Sequence, residues 1–359
     1  MAVWAFFLSF VFVSIIAFVK RNNFLLTIWS FAFLLFVLEI GFWVGDYIIP
    51  KPKVKYASSI PYKEKDPILT FWHKPNAHAL SSSYIETTVI FENVPYKFDP
   101  KGRRNSISIE GQPSRHALFF GGSFTFGAGV AQDQTLPSNF QRSSSDLYHS
   151  YNYGGDGFGP GAMFVQLDRD ELFDDITLTK GIAVYSFIAA HLTRSTAYEL
   201  EYYRITYENP FFFLDEQNGQ LHGPMAYSQK DDLRRIFYVY RNLWKHSYLF
   251  RFVAGKMNPT YISKDRAMRT TVKILIESKD KYKRRFDGDF YVLLWPRRND
   301  LLDIQTKAVM IQLLAEEDIQ VIDVPPMQDE RRAILHQLDP HPSAKEYQWV
   351  AQHLYENIR

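Results

Sequence analysis

Leu118-Phe119-Phe120-Gly121-Gly122-Ser123-Phe124-Thr125-Phe126-Gly127 decides how this chain is read, because an apolar run stops there at two glycines and a serine. Four apolar residues from Ala117 suit a buried parallel strand, and Gly121 and Gly122 permit backbone angles and close approaches that a Cβ would forbid. A turn of this kind lifts the Ser123 hydroxyl to the carboxyl edge of the sheet, where open α/β sheets hold their ligands. Two uses of the serine follow: it caps the next helix, or its hydroxyl reacts. Spacing excludes phosphate binding. A P-loop needs Lys and then Ser or Thr after its second glycine, whereas Gly127 is followed by Ala128 and Gly129; the dinucleotide fingerprint fails because Gln132 stands where its third glycine should be.

Downstream the pattern alternates. A helix is predicted to begin at 135–142, and strands at 147–153, 181–187, 290–295 and 319–324, with a helix over 301–317 between the last two. Five strands with helical crossovers imply a parallel sheet covered on both faces. A long insertion at about 191–286 holds a hairpin, Phe211 to Leu214 turning at Gln217-Asn218-Gly219, and helices over 231–256 and 264–283. Its aromatic residues read as core, and because it leaves from a strand's carboxyl end it is also a candidate roof for the site.

Upstream, residues 2–19 carry no charge, and residues 24–49 form a second apolar run interrupted by Glu39 and Asp46. Both are long enough to span a bilayer, so residues 1–49 are read as a transmembrane hairpin turning at Lys20-Arg21-Asn22-Asn23. Lys20 and Arg21 favour a cytoplasmic turn with the large domain outside, whereas Lys51, Lys53 and Lys55 pull the other way; the uncharged N-terminus tips the reading towards a cytoplasmic (inner) membrane protein with an extracytoplasmic domain. Glu39 either faces the other helix or a membrane-protein partner, or marks the interface. Residues 50–65 read as an extended linker and 68–115 as a small β-rich lead-in without a catalytic constellation, so 50–115 precedes an α/β domain at 116–359.

Composition narrows the class. Of 359 residues 46% are hydrophobic and 16% aromatic, which excludes a disordered or fibrous chain, and a formal net charge of +2 argues against nucleic acid as a partner. There is no cysteine, hence no disulfide, thiolate metal site or cysteine nucleophile, and neither a cofactor nor a metal is expected.

Two further stretches meet the Ser123 turn at strand ends. In Asn152-Tyr153-Gly154-Gly155-Asp156-Gly157 the glycines let backbone N–H groups point at an oxyanion; the plainer reading is a glycine turn. Leu338-Asp339-Pro340-His341-Pro342 offers a histidine beside a carboxylate, the base a serine needs at neutral pH; alone it reads as the start of the helix at 343–357. Taken together, a glycine-serine turn, Asn-x-Gly-x-x-Gly and Asp-x-His-Pro resemble the SGNH (GDSL-like) hydrolase family over 117–359 apart from the insertion. The resemblance implies a flavodoxin-like three-layer α/β/α fold with a five-stranded parallel sheet. It makes Ser123 the nucleophile, His341 the base and Asp339 its partner, with Gly157 and the Ser123 N–H binding the oxyanion and Asn152 opening the second block. Three departures stand out. Gly122 replaces the family's Asp, Asp339 precedes His341 by two residues where three is usual, with Leu338 at the usual place, and no Asn occurs near Ala189-Ala190-His191, where the other oxyanion donor falls. His191 can donate from a ring N–H in its place, aided by Arg194, or it is a buried histidine at the sheet edge. The resemblance implies a membrane-anchored serine esterase or O-acyltransferase acting on an acylated carbohydrate of the cell envelope. The alternative is a catalytically weak module that binds glycan or joins a membrane complex.

Overall fold

The computed structural model describes residues 23–48, 54–108, 110–196, 198, 210–225, 231–257, 259–295, 304–329 and 333–358. They form two compact units, Met1–Pro52 with Arg235–Pro259 and Lys53–Arg234 with Thr260–Arg359. The first run expected to span a bilayer, 2–19, lies outside the described residues. The second is helix α1 (Asn23–Ile48), whose stretch Thr27–Ile48 is long and apolar enough to cross a membrane.

The lead-in begins earlier than its sequence suggested. Strands β1 (Val54–Ser58) and β2 (Lys63–Asp66) lie within the stretch read as a linker, followed by β3 (Thr70–His73), β4 (His78–Ile85) and β5 (Thr88–Lys97). β1, β4 and β5 make one antiparallel sheet and β2 pairs with β3. β1 escaped notice because its alternation, Val54-Lys55-Tyr56, is short and follows a Pro- and Lys-rich stretch, and every one of its residues is exposed. Tyr62, Ala79, Tyr96 and Phe98 form a small core with Phe126, which follows the serine turn. Two adjacent buried arginines fasten the lead-in down. Arg103 binds Asp99, Asp175 and the Tyr153 hydroxyl, while Arg104 donates to Phe126 O at 2.9 Å, Gly127 O at 2.5 Å and Val130 O at 2.6 Å.

The main sheet follows: β6 (Arg115–Gly121), the short helix α2 (Ser123–Phe126), α3 (Leu136–Ser143), β7 (Tyr148–Asn152), α4 (Pro160–Leu167), β8 (Lys180–Phe187) and α5 (His191–Arg194). The hairpin β9 (Phe211–Leu214) and β10 (Leu221–Met225) and the helices α6 (Asp231–His246) and α7 (Tyr248–Met257) come next. The chain closes with α8 (Lys264–Arg285), β11 (Asp287–Leu294), α9 (Ile304–Glu316), β12 (Gln320–Asp323), the hairpin β13 (Ile334–His336) and β14 (Asp339–Pro342), and α10 (Ala344–Asn357).

Five strands pair in parallel in the order β7-β6-β8-β11-β12. Alternate residues feed opposite cores. Leu118 and Phe120 of β6, Tyr185 of β8 and Val292 of β11 pack under α4, α8 and α9, while Ala117, Phe119, Val184 and Leu293 pack under α3 and α10. This is the three-layer arrangement that the resemblance implied. The sequence counted α8 as part of the insertion; it is the crossover between β8 and β11, its Met268, Val272 and Leu275 joining the sheet core. The order reverses between β6 and β8, and an open sheet forms its ligand crevice at such a switch point. Ser123 directly follows β6.

In the smaller unit the helix expected over 231–256 breaks at Ser247. The Ser247 hydroxyl accepts the Phe250 N–H at 3.0 Å, which starts α7 afresh, an N-cap hidden inside an aromatic run. Glu39 of α1 accepts from the Ser247 hydroxyl at 2.8 Å and from the N–H groups of Tyr248 and Leu249 at 2.5 and 3.0 Å. Its partner is therefore a helix start within this chain.

Candidate active site

The turn after β6 requires its glycines for two different reasons. Gly121 has φ +146°, and a Cβ there would lie 2.4 Å from Thr125 Oγ1. Gly122 has an ordinary φ, but a Cβ on it would come within 2.5 Å of Arg194 Nη1 and 3.0 Å of His191 Nε2. The space that a side chain at 122 would need is thus filled by groups arriving from α5. Two of the departures noted in the sequence, Gly122 and His191, are spatially one.

The serine meets its partner. Ser123 Oγ lies 2.9 Å from His341 Nε2, and His341 Nδ1 lies 2.5 Å from Asp339 Oδ1. The carboxylate can only accept, so Nδ1 carries the proton and Nε2 accepts the Ser123 O–H. The spacing of two is accommodated by β14, which puts Asp339 and His341 on the same face of the strand, and Asp339 Oδ1 also accepts the His341 backbone N–H at 2.9 Å. The plainer reading of this stretch, a helix N-terminal turn, does not hold: it is the second strand of a hairpin, and α10 begins after it. Burial opposes ionisation of Asp339, but the hydrogen bonds and charge from His341 outweigh it and hold the carboxyl below its usual range.

Ser123, Gly157, Asp339 and His341 open into a cavity of about 460 Å³. Its facing wall comes from the lead-in: Tyr56, Tyr62, Lys63, Ser81, Phe91 and Tyr96. This corrects the expectation that the insertion supplies the roof, since no described residue of the insertion lines the cavity. Lys63 Nζ binds Asp156 at 2.7 Å and sits 4.6 Å from the centre of the Phe71 ring, which fixes an ion pair beside the serine. Burial opposes the Asp156 charge, but Lys63 prevails and lowers its pKa. Burial, and then the charges of Asp339 and Asp156, raise the pKa of Tyr56. A wider cleft of about 590 Å³ at the amino edge of the sheet, lined by Arg115, Lys180 and Lys283 among others, contains neither serine nor histidine.

Three predicted residues stand behind the turn. Asn152, His191 and Arg194 line no part of the cavity. The Asn152 amide donates to Thr125 O at 3.1 Å and Phe126 O at 3.3 Å, and its oxygen accepts from Gly154 N, so it holds the serine turn against the glycine block. Arg194 Nη1 donates to Phe158 O at 2.9 Å. His191 is 1% exposed; Nδ1 pairs with the Tyr185 hydroxyl at 2.8 Å, and the buried Nε2 under Gly122 has no hydrogen-bond partner among the described residues. Burial, reinforced by Arg194, drives its pKa far down, so the ring is neutral. Sequence reasoning missed Arg104, Lys63 and the tyrosines of the wall. Only the adjacent pair Arg103-Arg104 offered a cue, and it resembles any surface charge pair.

No protein-family model matches the sequence, and no curated protein matches it. Among solved structures, the chain is similar to a member of the lipolytic G-D-S-L family from Veillonella parvula, at 14% identity over 68% of this chain and 97% of that one, with a TM-score of 0.38. A carbohydrate acetylesterase family member from Sinorhizobium meliloti matches at 13% identity over 68% and 97%, TM-score 0.37. An acetyl xylan esterase from the rumen bacterium Butyrivibrio proteoclasticus matches at 11% identity over 85% and 82%, TM-score 0.39. Likeness of this degree is distant, and the functional reading below stands on side-chain geometry.

Proposed function

We propose that the protein is a membrane-anchored serine esterase or O-acyltransferase of SGNH type, working through an acyl-enzyme on Ser123. The observation that carries this reading is the Ser123–His341–Asp339 chain of hydrogen bonds at 2.9 and 2.5 Å, opening into a cavity. As Oγ attacks an ester carbonyl its proton passes to His341 Nε2, and Asp339 stabilises the imidazolium. The backbone N–H groups of Ser123 and Gly157 receive the oxyanion, a role that falls to them because His191 and Arg194 lie behind the turn. His341 then protonates the leaving alkoxide. Water or a sugar hydroxyl, deprotonated by the same ring, attacks the acyl-enzyme and releases Ser123. The tyrosine wall and the Lys63–Asp156 pair suit a polyhydroxylated acyl ester, such as an envelope glycan, since aromatic faces and charged acceptors together bind sugar rings and hydroxyls. Helix α1 supplies the anchor, with the α/β unit on the extracytoplasmic side.

One observation favours a weaker catalyst. Among the described residues lining the cavity there is no Asn or Gln to lend a side-chain amide to the oxyanion, and loss of one such donor costs about 2.7–4 kcal/mol of transition-state stabilisation. Under that reading the unit binds acylated glycan, or assembles with membrane partners, and turns over slowly. A fluorophosphonate probe distinguishes the two. Labelling of detergent-solubilised protein that vanishes in Ser123→Ala and His341→Ala establishes an activated serine. Absence of labelling in folded wild type removes the enzyme reading and leaves the binding one.

A further inference from the structure

Residues 235–257 carry Arg235, Arg241, Lys245, Arg251 and Lys256 and not one Asp or Glu, in a chain whose formal net charge is only +2. On α6, Ile236, Val239 and Leu243 recur at helical spacing on one face and are 41–55% exposed. On α7, Val253 and Met257 are likewise exposed one turn apart. Apart from Asp231 and Asp232 in the first turn of α6, the helix pair carries cations only, and cations beside an exposed apolar stripe are the pattern of a helix at a membrane surface.

The contacts of α7 bear this out independently. It is fastened to the candidate span at three levels: Glu39 receives its first N–H groups, Phe42 stacks on Phe252 at 4.3 Å, and Asp46 pairs with Arg251 at 3.5 Å. A carboxylate inside an apolar span is strongly unfavourable unless it is hydrogen-bonded. The α7 start, with its hydroxyl and two N–H donors, offsets that. Because Glu39 lies within Thr27–Ile48, whatever binds it is brought to the bilayer.

We propose that residues 235–257 form a second membrane element, in which α7 packs along the Ile48 end of α1 and the amphipathic α6 lies at the headgroup and acyl boundary on that side. Its apolar stripe lies in lipid and its cations bind anionic phospholipid headgroups. The inference rests on α1 spanning the bilayer.

The chain has no cysteine, so single-cysteine variants carry one environment-sensitive fluorophore each. Val239→Cys and Val253→Cys are compared with Leu34→Cys on α1 and Leu147→Cys on the α/β unit, in full-length protein reconstituted in vesicles of phosphatidylcholine with or without phosphatidylglycerol. Labels at 239 and 253 are expected to lose most of their fluorescence to nitroxide-bearing lipids, as at 34, and to resist an aqueous reductant, unlike 147. With phosphatidylglycerol omitted, quenching at 239 and 253 falls while that at 34 stays. If 239 and 253 behave like 147 while 34 is quenched, the second element is disproved and the span stands. If 34 is not quenched, the span fails and the inference with it. Equal quenching in both lipid mixtures overturns the role of the anionic headgroups.

Discussion

The two walls of the catalytic cavity differ in origin and in chemistry. One wall comes from the carboxyl edge of the parallel sheet and holds the groups that can react, Ser123 and His341 with Asp339, on backbone fixed by strand register and by Gly121. The other comes from strands β1, β2, β4 and β5 and presents Tyr56, Tyr62, Lys63, Phe91 and Tyr96, none of which touches the triad's hydrogen bonds. On the proposed reading, chemistry and recognition are separable here: the sheet wall would set what happens to an ester, and the lead-in which ester is held.

Substitutions can break that division. The largest effect is expected from the sheet wall. Asp339→Asn keeps the shape but favours the wrong histidine tautomer, and kcat should fall by about 10⁴-fold with KM little changed. The same variant has a pH signature. Asp339 is held below its usual pKa in the folded protein, so its ionised form stabilises the fold fully above the unfolded value of about 3.9 and this contribution disappears as pH falls through the lower folded value. Thermal melts of wild type should show that acid loss, and melts of Asp339→Asn should lack it. A drop in KM rather than kcat would contradict the assignment.

The joint between the walls comes next. Arg104 is fully buried, its guanidinium surrounded by carbonyls and by the Tyr96 and Phe126 rings at 4.2 and 4.9 Å. Arg104→Met strands Val130 O at about 1–3 kcal/mol and takes one of two donors from Phe126 O and Gly127 O, and a melting temperature lower by roughly 5 °C is expected. An unchanged melt would mean the lead-in is held by its core alone. The smallest effect should come from the recognition wall. Tyr56→Ala is expected to raise KM by about 10-fold, with kcat and fluorophosphonate labelling retained. If kcat collapses instead, the two walls are not separable.

Legibility in the sequence follows the same division. The parallel strands were readable because burial on both faces leaves continuous apolar runs such as Ala117 to Phe120. Ser123 and His341 were readable only in combination, because each stretch alone has a plainer reading and the resemblance rests on the glycine-serine turn, Asn-x-Gly-x-x-Gly and Asp-x-His-Pro together. β1 was not readable, since its alternation is short, exposed and preceded by a Pro- and Lys-rich stretch. Nor was the hairpin of β13 and β14, whose prolines and short length look like loop. The place of His191 depended on packing against Gly122 from a distant part of the chain, and no local pattern encodes that. Glu39 was visible as an anomaly, while its partner, the N-terminus of α7, became visible only in three dimensions.

Ser123 and His341 are separated by 218 positions along the chain. At about 5–20 residues per second, Ser123 is made roughly 10–40 s before His341. On the proposed reading a nascent chain carries an unarmed hydroxyl for that interval, and a product that stops before β14 stays inert towards esters. The order of synthesis then acts as a timer between the hydroxyl and its base.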